Sequence, residues 1–101
     1  DKELTSFLRI ASVSADSKFK PQILEACDFV AKKMKSAGLK TEVIETEGNP
    51  LVYGEWLGAP GKPTILIYGH YDVQPPDPLD LWISGPFEPT VRDGNIYARG
   101  A

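Results

Sequence analysis

Thr64-Ile-Leu-Ile-Tyr-Gly-His-Tyr-Asp-Val-Gln-Pro-Pro76 decides the fold. Ile65, Leu66, Ile67 and Tyr68 are apolar without alternation, and Gly69 closes the run. A half-buried strand alternates, whereas a strand covered on both faces reads as a continuous apolar run between turn signals. Residues 65–68 are therefore predicted as the buried central strand of an α/β sheet. The chain's one histidine, His70, follows at the carboxyl end of that run, with Asp72 two residues on. In open α/β sheets ligands bind at this end of the strands.

Outward from this stretch, the flanks supply helices and hairpins. Leu4, Phe7, Leu8 and Ile10 recur at near-helical spacing and predict a short helix over about residues 3–10. Ser12 to Lys20 is polar and reads as a loop. Pro21 suits a first helical turn, and Ile23, Cys27, Val30, Met34 and Ala37 follow at steps of four and three. Glu25 and Asp28 near the start and Lys32, Lys33 and Lys35 near the end complement the helix dipole, and Gly38 is a natural cap. A helix is predicted over residues 21–37. Thr41–Thr46 and Leu51–Leu57 read as strands of a hairpin broken at Glu47-Gly-Asn-Pro50. Asp93-Gly94, between Val91 and Ile96, predicts a second, tight hairpin.

Composition narrows the class. Of 101 residues, 42% are hydrophobic and 25% charged, enough apolar content for a core. The net charge of -3, with no basic stripe interleaved with aromatics, argues against a nucleic-acid partner. No apolar run is long enough to span a bilayer, and the start, Asp1-Lys-Glu-Leu, has no secretory apolar core. The absent initiator Met marks a trimmed start or an excerpt. Cys27 has no partner for an internal disulfide, which fits a reducing compartment. Two layers of covering structure are more than these helices supply, so the chain reads as the opening portion of a larger domain.

His70 and Asp72 point to one side of an extended backbone, with Tyr71 turned away. A neutral imidazole is a common zinc ligand, and a neighbouring carboxylate can fix the ring and raise its basicity. Spacing leaves a second reading open, in which Asp72 caps a turn and His70 packs on Tyr68 or Trp82. Cys27 falls on the apolar stripe of the helix and reads as core. Ser12 and Ser14 have no local histidine base and do not read as nucleophiles. Lys32, Lys33 and Lys35 read as a solvated helix end, and Trp56 and Trp82 as packing residues. Gly54, Gly58 and Gly61 are too irregular for a phosphate loop.

The segments ILIYGHYDVQPP (65–76), PLDLWISGPFEP (78–89) and DGNIYARGA (93–101) resemble the dinuclear zinc peptidase family of carnosinase, cytosolic non-specific dipeptidase, aminoacylase, acetylornithine deacetylase and succinyl-diaminopimelate desuccinylase. The dipeptidase-like branch is the nearest in wording. The opening helices are similar too, so the resemblance covers nearly the whole chain. It implies that residues 1–101 are the N-terminal portion of a three-layer α/β/α catalytic domain with a mixed, mostly parallel sheet, without the lid and dimerisation domain. It implies that His70 ligates one of two zinc ions (Mn or Co being alternatives) and that Asp72 is the catalytic-site residue steadying it. The bridging Asp, the general-base Glu and the remaining ligands match no residue here. Asp77, Asp80 and Glu88 correspond to none of them. The implied activity is metal-dependent hydrolysis of dipeptides or N-acyl amino acids by a cytoplasmic homodimer, with these residues alone inactive. The alternatives are a non-catalytic binding or scaffold relative lacking the other ligands, and an unrelated flavodoxin-like domain.

Overall fold

The computed structural model describes residues 2–101. Helix α1 spans Lys2–Leu8 and helix α2 spans Lys20–Ser36. Strand β1 is Lys40–Ile44 and β2 is Leu51–Glu55, and they pair antiparallel with Val43 opposite Val52. Strands β3, Thr90–Arg92, and β4, Asn95–Tyr97, form a second antiparallel pair. Short 3-10 turns lie at Ser17–Phe19 and Leu79–Leu81.

The predicted local elements form for the predicted reasons. Pro21 stands in the first turn of α2. At the far end Gly38 takes φ +86, and its N–H donates to Lys35 O while Leu39 N–H donates to Met34 O. These paired bonds are a Schellman motif, which satisfies carbonyls that the helix leaves open. In the second hairpin Asp93 (φ 50) and Gly94 (φ 77) both occupy the left-handed region. That is the two-residue turn whose twist matches flanking antiparallel strands.

The core lies where α1, the following segment and α2 meet. Leu8, Ile10, Val13, Ile23, Ala26, Cys27 and Ala31 are buried, with Ile23 and Val13 each 1% exposed. Phe7 stacks on Phe29 with ring centroids 5.2 Å apart, tying α1 to α2. Helix α2 also packs across the β1–β2 hairpin.

The largest departure from expectation is Ile65–Tyr68. These residues join no sheet, and their side chains are 81 to 90% exposed. The predicted central strand is therefore not formed by the described residues. A strand leaves every second backbone donor and acceptor for a neighbour. Here β1 and β2 pair only with each other, as do β3 and β4. Among the described residues parallel pairing is limited to one bridge, between Val13 and Val73. The radius of gyration, 15.8 Å, exceeds the roughly 13 Å of a compact 100-residue domain, in keeping with this uncovered segment. The helices and strands remain those of an α/β protein.

Candidate metal centre

The segment Ser12–Ser14, expected to be a plain polar loop, is a splint for residues 71–73. Val73 N–H donates to Ser12 O at 2.9 Å, and Ser12 Oγ donates to Tyr71 O at 2.9 Å. Val13 sits between them in the parallel bridge and is buried, as is Ser12. The exposed apolar run thus leads into a backbone that is held at Tyr71–Val73.

The alternation read from the sequence holds. Tyr71 turns toward α2 and the first hairpin, where its hydroxyl donates to Pro50 O at 2.6 Å. Burial, and then the Cys27 thiol beside it, push the Tyr71 hydroxyl up to about 12. Burial pushes the Cys27 thiol up as well, so Cys27 is an unreactive core group as expected. His70 and Asp72 face each other instead.

His70 Nδ1 lies 3.0 Å from Asp72 Oδ1 and 2.9 Å from Asp72 O. Both neighbours are acceptors, so in the neutral ring Nδ1 carries the hydrogen and Nε2 keeps its lone pair. The reading in which His70 packs on Tyr68 or Trp82 and Asp72 merely caps a turn is not the arrangement found. The other carboxylate oxygen, Asp72 Oδ2, accepts from Ser14 Oγ at 2.5 Å. The Ser14 hydroxyl is the main cause holding the Asp72 carboxyl below its ordinary range, with His70 adding to it and partial burial opposing. The His70 side chain is 74% exposed and that of Asp72 38%, so Nε2 is accessible.

His70 and Asp72 line a cavity of about 350 Å³ together with Phe7, Leu8, Ile10, Arg99 and Gly100. Gly100 backs closely onto Val73, since a Cβ there would come within 3.0 Å of Val73 Cγ1. Arg99 spreads over the Trp82 indole at 5.1 Å, and Trp82 Nε1 donates to Pro76 O at 2.7 Å. Trp82 is thus a packing residue as predicted. Trp56 is not, being 64% exposed. Asp77, Asp80 and Glu88 lie exposed. Among the described residues no three His, Cys, Asp or Glu side chains gather to hold a metal. A divalent ion therefore fits this chain at one nitrogen donor, His70 Nε2, and not as a complete set of ligands.

Sequence reasoning excluded Ser14 as a nucleophile and missed it as a donor to Asp72. A signal was present in Ser12-Val13-Ser14, where a β-branched residue between two short polar ones has the alternation of a strand.

Peptidase family M20/M25/M40 matches residues 66–101, which include all of the apolar run but Ile65, and His70 and Asp72. Cys-Gly metallodipeptidase dug1 of Schizosaccharomyces pombe is 37% identical over 109 residues, covering 97% of this chain and 23% of its own. The chain belongs to the M20/M25/M40 peptidase family. Succinyl-diaminopimelate desuccinylase of Thiobacillus denitrificans is 41% identical over 75 residues, covering 73% of this chain and 18% of that one. The solved M20 family metallo-carboxypeptidase Sso-CP2 from Sulfolobus solfataricus superposes with a TM-score of 0.85 at 38% identity, covering 99% of this chain and 23% of that one. The chain thus spans about a fifth to a quarter of the length of these M20 relatives. Its α/β fold is that of the matching part of an M20 peptidase. No described helix is long and apolar enough to cross a membrane.

Proposed function

We propose that the protein carrying this chain is a metal-dependent hydrolase of dipeptides or N-acyl amino acids. In this reading His70 is one metal ligand, and Asp72 fixes its ring. The observation that carries it is the bond between His70 Nδ1 and Asp72 Oδ1, which leaves Nε2 free on an exposed ring that lines the cavity. This is the arrangement in which a carboxylate orients a metal-binding imidazole and raises its basicity. The relatives named as a metallodipeptidase, a desuccinylase and a metallo-carboxypeptidase support the substrate class.

When bound, two zinc ions, or Mn or Co, supply Lewis-acid assistance to the attack of water on an amide carbonyl. The part taken by this chain is narrower. Asp72 stays ionised, holds the hydrogen on Nδ1 and fixes the plane of the imidazole. His70 presents Nε2 outward. Phe7, Leu8 and Ile10 add apolar surface to the cavity beside the pair. Residues 1–101 are one portion of the catalytic domain, and turnover belongs to the whole protein, a cytoplasmic homodimer in this reading.

The test is metal analysis and dipeptide hydrolysis by the full-length protein. His70→Ala is expected to lower both metal content and activity, and Asp72→Asn to weaken metal binding or activity about 10–100-fold. Unchanged metal stoichiometry in His70→Ala would overturn the reading.

A further inference from the structure

We infer that Ser14 is a positioning residue for His70, acting through Asp72. The inference rests on the reading of His70 as a metal ligand. A carboxylate turns easily about its last torsion, which is broad and roughly two-fold. One hydrogen bond from His70 Nδ1 to Oδ1 leaves that rotation only partly restrained. Ser14 Oγ donates to the opposite oxygen, Oδ2, so the plane of the group is fixed from both ends. With the plane fixed, Oδ1 stays before Nδ1 and the imidazole keeps Nε2 directed away from Asp72.

An exposed hydroxyl on a carboxylate would ordinarily exchange freely with water. This one does not stand on a free loop. Ser14 lies 58 residues from Asp72 in sequence, and the backbone on both sides of the contact is joined. Val73 N–H meets Ser12 O, Ser12 Oγ meets Tyr71 O, and Val13 is buried between them. The hydroxyl is therefore delivered to Oδ2 by a fixed scaffold, which lowers the entropy lost on forming the bond. The two serines divide the work. Ser12 binds only backbone and braces the segment, whereas Ser14 binds the carboxylate.

The test uses the full-length protein and two readouts, one of them independent of metal. Imidazole 15N chemical shifts of the metal-free protein, assigned through His70→Ala, report which nitrogen of His70 carries hydrogen. Zinc titration reports affinity. Wild type is expected to hold His70 in the Nδ1–H form. Asp72 O also faces Nδ1, at 2.9 Å, so Ser14→Ala should move part of the population, not all of it, to the Nε2–H tautomer and weaken zinc binding about tenfold, and Ser14→Thr, which keeps the hydroxyl, should restore both. Ser12→Ala should leave the tautomer unchanged. If Ser14→Ala keeps the wild-type tautomer, or if Ser12→Ala shifts it equally, Ser14 is a brace only and the inference is overturned. Should His70→Ala bind zinc as wild type does, the metal reading falls by itself, while the tautomer shifts still decide what Ser14 does to His70.

Discussion

Ile23 and Leu66 are aliphatic residues in apolar patterns of comparable strength, yet Ile23 is 1% exposed and Leu66 89%. The difference lies in what each backbone requires. Helix α2 closes its own hydrogen bonds, so its apolar stripe needs only a surface to lie on. The β1–β2 hairpin and the chain after α1 supply one. Residues 65–68 form no helix or strand, and an apolar run of strand type needs neighbouring strands before its side chains can be covered. Among the described residues the four strands use one another up in pairs. Val13 shows how little is needed: one parallel bridge to Val73 accompanies near-complete burial. Apolar pattern thus states a demand for cover, and pairing decides whether it is met.

The comparison is broken most directly at its buried end. Ile23→Ala removes the largest fully buried side chain and is expected to cost about 2–5 kcal/mol in chemical denaturation, through lost burial and the cavity left behind. A cost no greater than that of a change at Leu66 would mean that α2 does not carry the core.

Tyr71→Phe sharpens the boundary between the two regions, because Tyr71 is where the exposed run becomes anchored. Loss of the bond to Pro50 O is expected to cost about 1–2 kcal/mol at neutral pH. The folded-state value of about 12 lies above the ordinary 10, so the hydroxyl's contribution is complete below pH 10 and is lost as pH rises toward 12. Thermal melts of wild type and Tyr71→Phe should converge over that window. Parallel curves from pH 8 to 12 would refute it.

The smallest effect is expected at Leu66. Leu66→Ser in the 101-residue chain should change stability by less than about 0.5 kcal/mol, as at other exposed positions. In the full-length protein, where further strands can cover the run, the same substitution should cost at least about 2 kcal/mol. Equal effects in both proteins would show that residues 65–68 stay uncovered.

The candidate site was legible in the sequence to the extent that it is local. The side-by-side projection of His70 and Asp72, and the turning away of Tyr71, follow from the two-residue period of extended backbone. The resemblance of ILIYGHYDVQPP and DGNIYARGA to the zinc peptidases named the family that the comparisons bear out. The strand-like alternation of Ser12-Val13-Ser14 was legible, but the partner of Ser14 was not, because it is 58 residues away and no spacing rule connects the two at that distance. Trp56 was misread for a similar reason: Gly58 lies against its ring, yet the residue stays 64% exposed, because aromatic character does not say how much of the chain will cover it.

By itself the sequence determined what short-range physics enforces. Helix α2 follows from the period of its apolar residues, its end from the positive φ that Gly38 accepts, and the tight turn from Asp93-Gly94. Tertiary structure alone decided which segments meet. It set Ser12–Ser14 against Tyr71–Val73, placed the Tyr71 hydroxyl on Pro50, and left Ile65–Tyr68 without a neighbour. The reason is that helices and turns close their hydrogen bonds within a few residues, whereas strands and carboxylates complete theirs with whatever the rest of the chain brings to them.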